Sequence, residues 1–162
     1  MNKTTLFGPP PATLTVLLDD PAEQDFASAE RLLRGLSGEQ ATTTPPGLPY
    51  SVAAVLAHMN ANVWFNLELA RSSDPATFKN PYENWPTVSS EGWTELVEEF
   101  LTGIAELKRI VTEEDLNRVL YCATGEEPAW TVGYKVALSV AKHNASHFGQ
   151  IAVLRRVIGV PV

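Results

Sequence analysis

From Ser51 to Ser72 the chain runs without a glycine or a proline, "SVAAVLAHMNANVWFNLELARS", and its apolar residues recur at a helical period. Val52, Leu56, Met59, Val63 and Leu67 form one stripe. Val55, His58, Asn62, Phe65 and Leu69 form a second beside it. A helix that is apolar over so much of its circumference has to be covered on two sides, as happens inside a bundle. Ser51 is placed to cap its N-terminus.

Three more helices are expected around this one. Asp20 as N-cap, Pro21 at the first helical position and the acids that follow open the first, with Phe26, Ala29, Leu32, Leu33 and Leu36 as its stripe and Gly38 as its end. "ATTTPPGLPY" is then a loop by composition. Ser90 can cap a third helix, "SEGWTELVEEFLTGIAELKRIV", with Trp93, Leu96, Val97, Phe100, Leu101, Ile104, Leu107 and Val111 inward; Gly92 and Gly103 weaken this assignment slightly. Thr131 caps a fourth that runs to about Ile158, roughly 40 Å at 1.5 Å per residue, and Gly159 with Pro161 stops it.

The second and third helices are joined by a long crossover, "SSDPATFKNPYENWPTVS", whose Tyr82 and Trp85 should pack on the bundle or on a second subunit. "RVLYCATGEEPAW" has strand propensity and a turn at Gly125, so it is either a short hairpin before the fourth helix or a loop across the open end of the bundle. Residues 1–20 contain Pro9, Pro10 and Pro11, cannot begin as a helix, and read as an extended N-terminal arm. Residues 21–162 read as a single domain. The expected fold class is all-α, a four-helix bundle with a long crossover between helices 2 and 3.

Composition narrows the function classes. A chain of 162 residues with 44% hydrophobic and 19% charged residues is a globular domain with a sizeable core. A formal net charge of −7 argues against nucleic acid and against anionic membranes, because both are bound through basic residues. The single cysteine, Cys122, excludes an intrachain disulfide, fits a reducing cytosol, and reads as packing rather than as a nucleophile. The apolar run "LTVLL" is too short for a signal peptide or a membrane span. The glycosylation patterns at Asn2 and Asn144 are discounted, the second because it falls within a helix. A cytoplasmic protein is expected.

The chemistry lies on the fourth helix, in "SVAKHNASHFGQIAVLRRVIG". Its inward stripe is Val136, Val140, His143, His147, Ile151, Leu154 and Ile158. Residues four apart stand about 6 Å apart in height and about 40° apart in direction, so their side chains meet over one patch. Two imidazoles so placed can share one metal ion, and His58 faces the same interior from the second helix. A buried histidine is also an ordinary hydrogen-bonded core residue, and spacing alone leaves both readings open. Unsatisfied nitrogens on an apolar stripe would cost about 1–3 kcal/mol each, and a metal satisfies them well.

"LPYSVAAVLAHM" followed far downstream by "KHNASHFGQIAVLRRVIG" resembles the DinB-like family of small bacterial proteins. The family pattern is a histidine on the second helix after a W/Y-S cap, then H-x-x-x-H-x-G-Q-I on the fourth. It is matched at Tyr50, Ser51, His58, His143, His147, Gly149, Gln150 and Ile151, and the resemblance covers about residues 21–160. It implies a four-helix bundle, usually dimeric, with a divalent metal held by His58, His143 and His147; imidazole donors leave its identity open among zinc, nickel and iron. Bacillithiol transferases and mycothiol-dependent isomerases share this architecture. In the mycothiol branch the first residue of the fourth-helix pair is often glutamate, so His143 points to the DinB-like branch proper.

Asn62 and Gln150 each sit one turn beyond a histidine, where an amide oxygen can orient a ligand or simply satisfy a helix interface. Tyr50, Trp85 and Trp130 can wall a pocket above the metal, or be plain core. No residue has a clear claim to be a general base, and Glu68 lies too far along the helix from His58. Two functions follow. One is metal-dependent transfer of a low-molecular-weight thiol to an electrophile. The other is a metal-binding or stress-response protein without turnover.

Overall fold

The computed structural model describes residues 4–19, 27–122 and 127–162. The chain is mostly helical, with one small three-stranded sheet. Its centre is α4 (Val52–Arg71), whose N-cap Ser51 accepts from the backbone N–H of Ala54 at 3.1 Å. The first stripe of α4 is buried, with Leu56, Met59, Val63 and Leu67 wholly inaccessible; in the second, Val55 and Leu69 are buried while His58, Asn62 and Phe65 are half-buried. One side meets α5 (Trp93–Glu113). Another meets the last helical segment, formed by α6 (Val132–Val136), a π-helical turn (Ala137–Lys142) and α7 (His143–Val157).

Gly103 is what lets α4 and α5 approach. A Cβ there would lie 2.7 Å from Cγ1 of Val63, so this glycine is a packing requirement rather than a weakness of α5. The expected cap at Ser90 is not made. Gly92 stands at the N-cap position without a side-chain bond, and it is Ser89 Oγ that takes the Gly92 N–H, at 3.3 Å.

Within the expected extended arm, residues 4–19 form a strand and a helix. β1 (Thr5–Leu6) pairs in parallel with β3 (Ala129–Thr131), in the register Thr5 to Ala129 and Leu6 to Trp130. α1 (Pro11–Leu18) follows, with Leu14 and Leu18 wholly buried. Three prolines do not prevent this helix. Pro11 sits at a position whose N–H has no intrahelical partner to lose, and its ring presets a helical φ. Between strand and helix, a Cβ on Gly8 would lie 2.2 Å from the carbonyl carbon of Gly133, so the two backbones are in contact.

The expected first helix is shorter than its pattern. α2 (Ala29–Leu33) is capped by Ser28 and followed by Gly35 in the left-handed region, φ 76°. Gly38 opens a helix instead of ending one. It is the first residue of α3 (Gly38–Thr42), whose capping box pairs Ser37 with Gln40. Asp20, Pro21 and Phe26, expected in this first helix, lie outside the described residues, as does the expected turn at Gly125.

Of the two readings of residues 118–130, the paired one holds. β2 (Val119–Tyr121) runs antiparallel to β3, giving the sheet order β1-β3-β2, so the fold is not purely helical. Thr131 ends β3 and caps α6, its Oγ1 accepting from Tyr134 N–H at 3.3 Å. The crossover from α4 to α5 holds one 3-10 turn, Pro75–Thr77. Its aromatics pack on their own chain: the Tyr82 hydroxyl donates to Glu68 at 2.8 Å, and Phe78 lies 5.6 Å from Phe65. No helix among the described residues is long and apolar enough to cross a membrane.

Candidate metal centre

α4 and α7 bring His58, His143 and His147 together, with one ligand atom of each within 4.8 Å of the others. His143 Nε2 stands 3.0 Å from His58 Nε2 and 3.1 Å from His147 Nε2. The outer nitrogens face oxygen. His58 Nδ1 meets the backbone carbonyl of Asn84, and His147 Nδ1 meets Gln150 Oε1 at 2.7 Å. These oxygens only accept, so both Nδ1 atoms carry the proton and both Nε2 atoms present lone pairs inward.

The proton count tests whether an ion fits. A neutral His143 has one N–H and can satisfy at most one of its two inner neighbours. At least one nitrogen–nitrogen contact is therefore lone pair against lone pair. A single cation between the three removes that conflict, and imidazole nitrogens bound to one ion at about 2.0–2.1 Å stand roughly 3 Å apart, as His143 Nε2 does from each of its two neighbours. His143 and His147 are also held toward the neutral form that binds a metal. Burial, then the neighbouring His147, pushes the pKa of His143 down to about 4. Burial likewise lowers that of His147.

His143 is oriented differently from its partners. Its Nδ1 lies 3.4 Å from Asn144 Oδ1 and 3.3 Å from Asn62 Nδ2. Asn62 thus offers its amide nitrogen, not the expected oxygen. That nitrogen is committed to the Ser139 carbonyl at 2.6 Å, and Asn62 Oδ1 accepts from Asn66 at 3.0 Å. Ser139 lies in the π-helical turn, where the widened ladder leaves a carbonyl for Asn62 to take. The turn ends where His143 begins, so one irregularity both anchors Asn62 and sets the phase of the two histidines.

Trp85 closes one side. Its ring is stacked between Tyr50 (4.2 Å, 8°) and His58 (4.1 Å, 9°), with His147 edge-on at 6.3 Å. Trp130 does not belong to this wall. It packs in the sheet region against Tyr134 at 5.3 Å and Tyr121 at 6.4 Å. Beside the cluster an apolar groove of 470 Å³ is lined by Leu48, Tyr50, Val55, Gln150 and Val153. Among the described residues no carboxylate joins the cluster, and Glu68 is engaged by Tyr82.

The sequence did not reveal the Asn84 carbonyl, because any residue could supply it. The π-helical turn carries no mark such as a proline or a glycine. Asn144 had a faint signal, a polar residue beside His143 that proves 1% exposed and so excludes a glycan there.

A family model described as mycothiol-S-transferase matches residues 17–159. The chain belongs to the mycothiol-S-transferase family. This is a DinB-like family related to thiol transferases, in line with the resemblance carried by His58, His143 and His147. One refinement concerns the branch: His143, read as pointing to the DinB-like branch proper, stands in a chain that matches the mycothiol-linked family, so the residue at this position does not decide the branch. No curated protein and no solved structure matches the chain.

Proposed function

We propose that the protein is a divalent-metal-dependent transferase of a low-molecular-weight thiol, with His58, His143 and His147 holding the ion. The observation that carries this reading is the convergence of three Nε2 atoms with too few protons between them. A divalent ion held by His58, His143 and His147 would supply the Lewis acidity that lowers a thiol's pKa. Imidazole donors suit zinc, nickel or iron.

The chain's own residues do the rest. Asn84 and Gln150 hold the outer protons, which keeps the inner lone pairs aimed at one point. Trp85 stacks flat on His58 and covers that face of the ring. The apolar groove beside Gln150 can seat the hydrocarbon part of an electrophile. In the transfer, sulfur forms a bond to the electrophilic carbon, the leaving group departs with its electron pair, and the thiol proton goes to solvent. That balance needs no carboxylate base.

Conjugation of a chromogenic electrophile by several thiols, with the protein loaded with each metal in turn, tests the reading. Turnover that depends on both metal and thiol and is lost in His147→Ala is the expected result. Bound metal with no turnover for any thiol would instead favour a metal-binding protein without catalysis.

The architecture is read as the family's four-helix bundle, with α1 and α2 together standing for its first helix and α4, α5 and α6–α7 for the others. A cytosolic homodimer is part of the same proposal. The crossover aromatics no longer argue for the dimer, but Val153 and Val157 on α7 are more than half exposed and offer an apolar face. Light scattering at micromolar concentration reads the mass directly.

A further inference from the structure

The outer nitrogen of His143 has two amide neighbours, and they ask opposite things of it. Asn62 Nδ2 lies 3.3 Å from His143 Nδ1, and Asn144 Oδ1 lies 3.4 Å from it. An amide N–H only donates, so Asn62 is matched by a bare Nδ1. An amide oxygen only accepts, so Asn144 is matched by Nδ1–H.

The role of Asn62 is set from two directions. Its Nδ2 donates to the Ser139 carbonyl at 2.6 Å, and its Oδ1 accepts from Asn66 Nδ2 at 3.0 Å. Asn66 is fixed in turn, because the same Nδ2 donates to the Asn62 carbonyl at 2.7 Å, while its own Oδ1 stays buried without a partner. Turned over, Asn62 would set oxygen against the Ser139 carbonyl and nitrogen against nitrogen at Asn66. An amide nitrogen carries two hydrogens, so one serves Ser139 and the other is left for His143.

Asn144 is 1% exposed, and its Nδ2 is buried without a partner. A buried donor left unpaired is costly. Turned over, Asn144 would bring a second N–H to a nitrogen that already faces the N–H of Asn62. The orientation with oxygen toward His143 makes a hydrogen bond only when Nδ1 carries the proton.

A neutral imidazole has one proton for two nitrogens. With it on Nε2, His143 donates to His58 or His147, and its Nδ1 accepts from Asn62. With it on Nδ1, His143 donates to Asn144, and the Nε2 lone pair is free for an ion. The two outer contacts are of nearly equal length, so both forms have a partner waiting.

We propose that His143 is a tautomer switch with Asn144 as its positioning residue: binding of a divalent ion at Nε2 moves the imidazole proton to Nδ1, where Asn144 Oδ1 receives it. This rests on the reading that His58, His143 and His147 hold the ion. The N–H bond at Nε2 breaks and one at Nδ1 forms, with water carrying the proton. His143 keeps one proton throughout, so its own charge does not change. Asn62 favours the form that excludes the ion, and Asn144 the form that admits it. His58 and His147 need no such change, since the Asn84 carbonyl and Gln150 Oε1 already hold their Nδ1 protons.

Nitrogen-15 NMR of the histidine-labelled full chain reads the switch, because bare, protonated and metal-bound ring nitrogens resonate apart. The chain has three histidines, and His58→Ala and His147→Ala assign their signals. His143 should show Nε2–H without metal and Nδ1–H with zinc bound. Zinc affinity, measured by competition with a chromogenic chelator, should fall by about 10–100-fold in Asn144→Leu, which removes the acceptor. Asn144→Asp supplies an acceptor again and should recover the affinity. A melting curve checks that each variant is folded, and the parent spectra decide the matter even if Asn144→Leu does not fold. The proposal is overturned if His143 carries Nδ1–H both with and without zinc, if its Nδ1 stays bare with zinc bound, or if folded Asn144→Leu binds zinc within about threefold of the parent. In each of those cases the parent still binds zinc, and the metal reading stands. A parent that binds no zinc overturns the metal reading itself, and this proposal with it.

Discussion

The two ends of α7 bury polar groups in opposite ways. Near the C-terminal end, Arg155 is 3% exposed and faces only carbonyls. Its Nη1 donates to Leu32 O at 2.6 Å and Arg34 O at 2.8 Å, Nη2 to Pro161 O at 2.9 Å, and Nε to Val160 O at 3.2 Å. Donors meet acceptors, and one side chain ties the end of α2 and the last residues of the chain to α7. At the N-terminal end, His143 meets His58 and His147 nitrogen to nitrogen, and at least one of the two contacts sets acceptor against acceptor. The first arrangement is complete without any other molecule and holds the fold together. The second is incomplete as it stands, which is the mark of a place built to receive something.

The histidine end should break most sharply at the level of binding. In His143→Ala/His147→Ala the affinity for zinc or cobalt is expected to fall by more than about 1000-fold, since two of three ligands are gone. Competition with a chromogenic chelator measures it. Without metal the same variant should melt no lower than the parent, because a lone-pair conflict has been removed. A metal affinity within 10-fold of the parent would refute the three-histidine reading.

Arg155→Met should reverse that pattern. The carbonyls of Leu32, Arg34, Val160 and Pro161 lose their donor, and the cost is expected near 3 kcal/mol. For a chain of this size that is a fall of roughly 6–12 °C in Tm. Metal affinity in the surviving folded protein should stay within about threefold. If Arg155→Met lowered metal affinity as much as stability, the two ends would be one unit rather than two.

Gln150→Ala lies between these. It leaves the ligands in place and removes the oxygen that holds His147 Nδ1–H at 2.7 Å. Loss of such an outer partner is expected to weaken metal binding by about 10–100-fold. Since Gln150 is exposed, the Tm should hardly move. Gln150→Glu, which keeps an acceptor, should restore most of the affinity.

The same contrast explains how much could be read in advance. Ser51, Thr131 and Gly159 were legible as helix boundaries because a cap is decided by neighbours along the chain. The two stripes of α4 and the pair His143/His147 were legible because a helix converts spacing directly into direction. Arg155 was not, since its partners are backbone carbonyls and "LRRV" does not say which arginine turns inward. The Asn84 carbonyl under His58 is hidden for the same reason. The parallel pairing of β1 with β3 joins residues 124 positions apart over two residues, too short a run for any periodicity. At Pro11 a proline was read as barring a helix, although the first turn is where a helix tolerates it best. Gly35, not Gly38, takes the left-handed turn, and nothing in the spacing separates the two.

The smallest expected effect concerns Trp85 and shows whether the crossover seats His58 or only covers it. The tryptophan is 39% exposed, so Trp85→Leu removes little from the core and should change the melting temperature only slightly. Its ring nevertheless lies flat on His58 at 4.1 Å while Tyr50 stacks on the far side. An aromatic pair of this kind contributes about 0.5–1.5 kcal/mol beyond burial. If the stack holds the ring plane in which Nε2 points at the other two histidines, losing it should weaken cobalt binding by roughly 2–12-fold. The lower end applies if the Asn84 carbonyl still fixes Nδ1. Trp85→Phe keeps a stacking face and should recover most of the loss. Equal cobalt affinity in the parent, Leu and Phe proteins would make Trp85 a lid over the site, and the orientation of His58 would then rest on the Asn84 carbonyl alone.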